Sequence, residues 1–304
     1  MTGWTPADIA PQTGKFAVVT GANSGIGYYT ALELARAGAH VIIASRNEAR
    51  GLTAAATINE KIPGQRASFE WLDLASLASV ASFAERVLGN LPALDILINN
   101  AGVMALPQRA TTEDGFEMQF GVNYLGHFAL TAQLLPLLRK AAAPRTVQLS
   151  SLAHRSGKID FADLQGRNYA AWKAYSQSKL AMLVFALELQ RRSAANGWKI
   201  VSTAAHPGLS KTELIVNGPG KSVAGRFSQL AVSMMGQSAA AGALPSLYAA
   251  TSGLVVPGAY YGPTGFQELK GSPGIAVIRA QGDDAGIAKR LWQVSEELTH
   301  TSFG

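Results

Sequence analysis

The chain reads as an α/β protein, a doubly wound parallel sheet with helices on both faces, formed as one domain over residues 1–304. Three observations predict it. Short apolar runs recur at 16–20, 40–44, 68–72, 94–98, 145–149 and 199–203, with the length of buried strands. Longer amphipathic stretches fall between them. A glycine-rich turn joins the first run to the first such stretch.

The elements follow in order. Phe16-Ala-Val-Val-Thr20 is a buried strand. The helix at 26–37 has Gly27, Ala31, Leu34 and Ala35 on one face and Gly38 as its stop. Strands at 40–44 and 68–72 precede a helix at 76–88, and the strand at 94–98 precedes a stretch at 116–139 long enough to bend. A strand at 145–149, a helix at 175–192 and a strand at 199–203 complete the pattern. Strands alternating with helices pair in parallel through crossovers that cover both faces. Right-handed crossovers wind such a sheet doubly, and ligands bind beyond the strands' carboxyl ends, where the strand order reverses. Residues 1–13 form an N-terminal extension. Residues 209–237, with Pro219 and Met234-Met235, are expected to form a substrate lid. In the C-terminal extension, 265–304, an amphipathic helix around Leu291-Trp292 is expected to pack back on the core.

Composition narrows the function. Apolar residues make up 48% and charged residues 15%, which excludes a disordered chain. Without cysteine there are no disulfides, thiolate metal sites or cysteine nucleophiles. The net charge of +6 is scattered, with short pairs such as Arg139-Lys140 and Arg191-Arg192. That is a solvated surface rather than a nucleic-acid face, although a mild positive field suits an anionic dinucleotide. No apolar run approaches the ~20 residues of a bilayer span. The N-terminus shows neither the basic nor the apolar region of a secretory signal. A cytoplasmic protein without a membrane span is expected. His154 and His206 have no partner at ligand spacing, so a structural or pocket-lining role is expected for both, and no metal.

The first strand runs into Thr20-Gly21-Ala22-Asn23-Ser24-Gly25-Ile26-Gly27 and then a helix. Glycines let the backbone approach a pyrophosphate, and the helix N-terminus offers free N–H groups and partial positive charge. The spacing is G-x-x-x-G-x-G, in a strand–turn–helix context that makes this a Rossmann-type dinucleotide fold. At the end of the second strand, where an acid would hold a ribose 2′-hydroxyl, the chain reads Ala44-Ser45-Arg46-Asn47. Arg46 suits a 2′-phosphate, which favours NADP(H) over NAD(H). Asp73-Leu74 follows the third strand; the carboxylate either accepts from an adenine amine or starts the next helix. Asn99-Asn100-Ala101-Gly102 follows the fourth, and its small residues let an adenosine lie against the backbone.

The reacting groups come from downstream. Strand five ends in Ser150-Ser151, and Tyr175-Ser-Gln-Ser-Lys179 places a phenol and an ammonium on one helix face. A phenol titrates near 10, and a neighbouring ammonium is expected to lower that value towards the range of efficient acid–base work. The Ser151 hydroxyl can hold a substrate oxygen at the same point. Tyr169-Ala-Ala-Trp-Lys173 has the same spacing. Tyr175 is preferred because Ser176 and Ser178 are small and a long apolar helix follows; Tyr169 is assigned to the segment over the pocket.

TGANSGIG at 20–27, NNAG at 99–102, VNYLGHF at 122–128, LSS at 149–151, YSQSK at 175–179 and HPG at 206–208 together resemble the short-chain dehydrogenase/reductase family. The likeness covers roughly 14–264, in the family's order, and is greatest to the branch of retinol dehydrogenases and protochlorophyllide-reductase-like proteins. It implies a catalytic tetrad of Asn123, Ser151, Tyr175 and Lys179, with Asn123 anchoring a relay water and Lys179 also holding the nicotinamide ribose. It further implies that the backbone after Pro207, at Gly208, and the hydroxyl of Thr212 hold the nicotinamide end. The stretch 152–174 is long, as is usual in the retinol-dehydrogenase-like branch. Two departures stand out: protochlorophyllide reductases use a cysteine near the substrate, and retinol dehydrogenases often carry an N-terminal membrane segment.

The resulting expectation is an NADP(H)-dependent oxidoreductase acting on a small carbonyl or alcohol compound, as a carbonyl reductase would, with Tyr175 as general acid and base. Its cofactor contacts are Gly21, Asn23, Ser24, Gly25, Ile26, Gly27, Arg46, Asp73, Leu74, Asn100, Ala101, Gly102, Tyr175, Lys179, Pro207, Gly208 and Thr212. A homodimer or homotetramer fits the resemblance. A dinucleotide-sensing protein and a reductase of carbon–carbon double bonds are the alternatives. The presence of both Tyr175 and Lys179 disfavours the first, and the missing cysteine disfavours the best-known form of the second.

Overall fold

The computed structural model describes residues 3–210 and 236–304. Its sheet comprises β1 (Phe16–Thr20), β2 (His40–Ser45), β3 (Ala67–Trp71), β4 (Ile96–Asn99), β5 (Arg145–Leu149), β6 (Val201–Ala205), β7 (Tyr260–Pro263) and β8 (Pro273–Ile275). Their order is β3-β2-β1-β4-β5-β6-β7-β8. The pairs are parallel except β7 with β8. The chain steps outward from β1 to β3, then returns to place β4 on the other side of β1. The order therefore reverses between β1 and β4, which opens a crevice at their carboxyl ends.

Side-chain alternation divides the core into two layers, as the period of two requires. Ala17, Val19, Val41, Ile43, Ile96 and Ile98 face α1 (Gly25–Arg36) and α2 (Glu48–Lys61). Val18, Ile42, Ala44 and Leu97 face the opposite layer. That layer holds α3 (Leu77–Asn90), α4 (Gly126–Leu138) and α5 (Ala171–Asn196). The first layer also takes α6 (Ala239–Thr251), through Ala243 and Leu247. The second takes α7 (Ala285–Thr299). In α7, Leu291 and Trp292 are buried, and Trp292 packs on Phe303, Phe128 and Phe185 with ring centroids 4.3, 5.1 and 5.7 Å apart. The C-terminal helix thus packs where Leu291-Trp292 predicted.

Several elements depart from expectation, each for a local reason. α2 was not anticipated: its buried face is Gly51, Ala54, Ala55 and Ile58, with one large apolar residue. α6 contains Gly242 and Pro245, which disguise its periodicity. The sixth strand starts at Val201 rather than 199, because Lys199 has φ +62° and belongs to the turn. α5 begins at Ala171, four residues before Tyr175. The stretch at 116–139 is helical only from Met118, and a π-helical segment, Gly121–Leu125, interrupts it before α4. Most of the expected lid, 211–235, lies outside the described residues, as does Thr212. Among the described residues no helix is long and apolar enough to cross a membrane.

Candidate active site

The turn after β1 takes its shape from glycine. Gly21 and Gly25 have φ of +66° and +56°, a region that L side chains resist. A Cβ at Gly27 would stand 2.5 Å from Asn100 Nδ2 and 2.6 Å from the Gly21 carbonyl, so α1 can approach the sheet this closely only with bare backbone. Ser24 is the N-cap of α1, and its side chain makes no capping bond. The first N–H groups of a twelve-residue helix therefore face the crevice.

Beside the turn lies a buried polar knot that joins β1, β4 and the π-helical segment. Thr20 Oγ1 accepts the N–H groups of Asn100 and Ala101, both at 2.9 Å, and lies 2.8 Å from His127 Nε2. The Asn123 carbonyl beside Nδ1 can only accept, so the neutral His127 ring carries its hydrogen on Nδ1, and Nε2 takes the Thr20 hydroxyl hydrogen in preference to the Ile98 carbonyl 3.4 Å away. Nδ1 then donates to the Asn123 carbonyl at 2.9 Å. Burial holds His127 down at about 3, which keeps the ring neutral. The Thr20 carbonyl accepts from Asn100 Nδ2 at 2.7 Å. The Asn123 amide is fully engaged: Oδ1 accepts from the Val103 N–H at 2.7 Å, and Nδ2 donates to the Val103 carbonyl and Ser178 Oγ, both at 2.9 Å. π-helical segments often mark functional positions in helices; this one sets Asn123 between the loop after β4 and α5.

The third group sits on β5 and α5. Tyr175 and Lys179 are one helical turn apart and both buried. Ser151 caps the short 3-10 helix Leu152–Ser156, accepting from the Ala153 N–H at 3.2 Å, and its hydroxyl lines the same cavity as the Tyr175 phenol. Lys179 Nζ donates to the Leu149 carbonyl at 2.9 Å and lies 5.9 Å from the centre of the Tyr175 ring. The expected direction of the Tyr175 shift is reversed. Burial raises the phenol above its ordinary value, opposed by the Ser151 hydroxyl. Burial also lowers Lys179 to about 8. Desolvation outweighs attraction because both groups sit in the interior.

The two Y-x-x-x-K sequences separate cleanly. Tyr169 precedes α5 and donates to the Leu106 carbonyl at 2.6 Å; Leu106 lines the cavity and Tyr169 does not. Lys173 is exposed and pairs with Asp160 at 3.4 Å.

These segments enclose a cavity of ≈ 950 Å³. Every residue that the sequence assigned to the site lines it, except two. Asn123 stands behind Gly102, where a Cβ would meet its Oδ1 at 3.0 Å, and Thr212 is outside the described residues. Arg46 is exposed at the rim. Asp73 lines the wall while its Oδ1 accepts from the Ala75 N–H at 2.9 Å; the N-cap of α3 is Ser76, not Asp73. His154 and His206 lie outside the lining and are structural: His154 Nδ1 contacts the Ser151 carbonyl at 2.7 Å. Thr20 and His127 were missed from the sequence. A histidine alone among apolar residues in Gly-His-Phe-Ala-Leu was the signal for the second. Arg50, one turn into α2, also lines the cavity and was not foreseen. The far end is apolar, with Val103, Met104, Leu106, Leu152, Trp172 and Leu209.

Comparison with known proteins gives concordant results. A family model described as short chain dehydrogenase matches residues 15–219. The chain is 43% identical over 296 residues to Retinol dehydrogenase 13 of Mus musculus, covering 94% of this chain and 84% of that protein. It is 50% identical over 216 residues to Polyprenol dehydrogenase of the same organism, covering 69% and 64%. A solved structure of an uncharacterized protein from Mycobacterium Paratuberculosis shares 42% identity with a TM-score of 0.83, each chain covered in full. A short chain dehydrogenase from Shigella flexneri 2a str. 301, complexed with NADP, shares 27% identity with a TM-score of 0.62, covering 81% of this chain and 93% of that one.

Proposed function

The chain belongs to the short chain dehydrogenase family, in its retinol dehydrogenase-like branch, and on that premise we propose that it moves a hydride between NADP(H) and an apolar alcohol or aldehyde. The observation that carries this is the convergence of Ser151, Tyr175 and Lys179 on the same cavity as the glycine turn. The residues fit a dinucleotide. The N-terminus of α1 and the bare glycines suit its phosphates, and the small loop Asn100-Ala101-Gly102 suits the adenosine. Pro207 and Gly208 line the same cavity and would hold the nicotinamide end. Arg46 at the rim favours a 2′-phosphate, in keeping with the NADP bound by the Shigella flexneri relative. Bound there, the cofactor supplies or takes up the hydride.

The protein's own groups handle the oxygen and the proton. In reduction, the Ser151 hydroxyl and the Tyr175 phenol both donate to the carbonyl oxygen. As negative charge develops there, Tyr175 gives up its proton to that oxygen. Charged Lys179, one turn along α5, favours the phenolate left behind. Oxidation reverses each step. Asn123 pins Val103 and Ser178, which keeps α5 in register with the cavity wall. The apolar lining past Tyr175 suits a hydrocarbon substrate. Retinol and polyprenol, the alcohols named for two relatives, are both isoprenoid; an isoprenoid alcohol or its aldehyde is the substrate class proposed.

The test is NADPH oxidation with retinal, isoprenoid aldehydes and small ketones. Tyr175→Phe is expected to lower kcat about 10²–10⁴-fold, the usual contribution of a positioned acid. Arg46→Ala is expected to weaken NADPH about 10–100-fold, from the loss of a charged hydrogen bond, and to leave NADH unchanged. Turnover that survives in Tyr175→Phe defeats the acid–base assignment, and equal losses for the two cofactors defeat the assignment of Arg46.

A further inference from the structure

Behind the cavity wall, three segments meet at one carboxylate that the sequence did not single out. Glu268 Oε2 lies 2.9 Å from His206 Nε2 and 2.8 Å from an Arg155 guanidinium nitrogen. Oε1 accepts the Val277 N–H at 3.1 Å. The His206 side chain is 0% exposed and that of Glu268 14%, so water competes little for these bonds.

The other nitrogen of the ring decides its state. His206 Nδ1 accepts the Gly208 N–H at 3.2 Å. A ring nitrogen that accepts an N–H carries no hydrogen, so the neutral ring has its hydrogen on Nε2, donated to Glu268. Glu268 thereby selects the tautomer in which His206 can hold the Gly208 amide. A ring with hydrogen on Nδ1 would set N–H against N–H. The ring is also packed tightly: a Cβ on Gly262 would stand 1.9 Å from Nε2. Gly208 has φ +62°, and a Cβ there would meet the Leu269 carbonyl at 2.4 Å. That same carbonyl accepts the Leu209 N–H at 2.8 Å. The turn after β6 therefore rests on Glu268 and Leu269. Arg155, for its part, belongs to the 3-10 helix that Ser151 caps.

We propose that Glu268 is a positioning residue for hydride transfer. Through His206 it fixes the Pro207–Gly208 backbone, and through Arg155 it fixes the turn that carries Ser151. One carboxylate thus sets the separation between the nicotinamide end of the cavity and the hydroxyl that receives the substrate oxygen. This role rests on the hydride-transfer function proposed above.

The test compares full-length wild type with Glu268→Ala and with Glu268→Gln, which keeps the shape and serves if the alanine variant fails to fold. Three readouts are taken: NADPH titration by its fluorescence, kcat and KM for the best aldehyde, and the ¹⁵N–¹H imidazole spectrum, with His206 assigned by His206→Asn. Wild-type His206 is expected to be neutral with hydrogen on Nε2, and Glu268→Ala to lose that signature. In folded, cofactor-saturated Glu268→Ala, kcat is expected to fall about tenfold or more, as reacting groups shift apart. Glu268→Gln is expected to lie between Glu268→Ala and wild type. A residue that merely supported the fold would lower the melting temperature and leave saturated kcat unchanged. Wild-type kcat in both folded variants, or a His206 hydrogen on Nδ1, overturns the proposal alone. A wild type that binds no NADPH overturns the hydride function and this role with it.

Discussion

Replacing Thr20 with Val changes one buried hydroxyl to a methyl and tests whether the knot behind the glycine turn organises the site. Thr20 is fully buried at the end of β1, and its oxygen has three partners within 3 Å, the N–H groups of Asn100 and Ala101 and the ring nitrogen of His127, with the Ile98 carbonyl farther off at 3.4 Å. The shape is nearly kept, so the effect comes from the partners left behind. His127 is fully buried with no route to water. An orphaned group of that kind costs about 1–3 kcal/mol. The two backbone N–H groups are half-buried on the cavity wall. Water can partly replace their partner, so each costs about 0.5–1.5 kcal/mol. The expected destabilisation is about 2–6 kcal/mol, a large part of the ~5–15 kcal/mol that holds a typical domain together. Urea unfolding should show a lower midpoint with an unchanged slope. Because Asn100 and Ala101 form the wall beside the turn, NADPH titration should also show weaker binding. A loss under about 1 kcal/mol with wild-type NADPH affinity would refute the assignment, since it would mean that the three bonds do not converge on one hydroxyl.

Three further outcomes follow from the geometry. In the mechanism proposed, carbonyl reduction needs a protonated phenol and a charged ammonium. Burial raises Tyr175, so the phenol stays protonated through neutrality, while Lys179 is lowered to about 8 and loses its charge above that; kcat for reduction should be flat below neutrality and fall as pH rises through about 8, and a rise between about pH 7 and about pH 9 would contradict this. Gly27→Ala drives a Cβ against the Gly21 carbonyl and Asn100, so NADPH binding should be lost with a stability cost of about 1–3 kcal/mol from overpacking, read by fluorescence titration and urea unfolding. Trp292→Ala empties the centre of the aromatic cluster formed with Phe303, Phe128 and Phe185; it should cost about 3–5 kcal/mol in urea unfolding while NADPH affinity of the folded protein stays unchanged.

What could be read in advance was the part of the fold that large apolar residues write into local periodicity. β1, β2 and β4 are built on consecutive Val, Ile or Leu and β5 carries Val147 and Leu149, and each was found to within about two residues, the usual margin for element ends. α2 and α6 were not, because helices that sit close to a sheet bury small residues. Gly51 is one such contact: a Cβ there would meet the Phe69 ring at 2.2 Å. A face of Gly and Ala gives little hydrophobic signal even when fully used. β7 and β8 are four and three residues long and include Gly262 and Gly274. Their pairing is supplied by β6 and by each other, so no short stretch of sequence declares them.

The site divides along a different line. Residues whose role follows from spacing could be placed: the glycines from the turn, and Tyr175 with Lys179 from one helical turn. Spacing alone admitted Tyr169 and Lys173 equally. What separates the pairs is that α5 begins at Ala171, which leaves Tyr169 outside the helix and Lys173 in solvent with Asp160. Residues whose role follows from distant partners could not be placed. Thr20 and His127 are 107 positions apart, and Glu268 and His206 are 62 apart. Each is an unremarkable polar residue until the sheet order brings β1 beside β4 and β6 beside β7. The glycine turn and the Tyr–Lys pair are local devices that any chain of this topology can carry. Their separation across the cavity depends on the long-range bonds, and positions held to within about an ångström decide rate in reactions of this kind. Thr20, His127 and Glu268 are therefore where substitutions should alter turnover without touching a group that reacts.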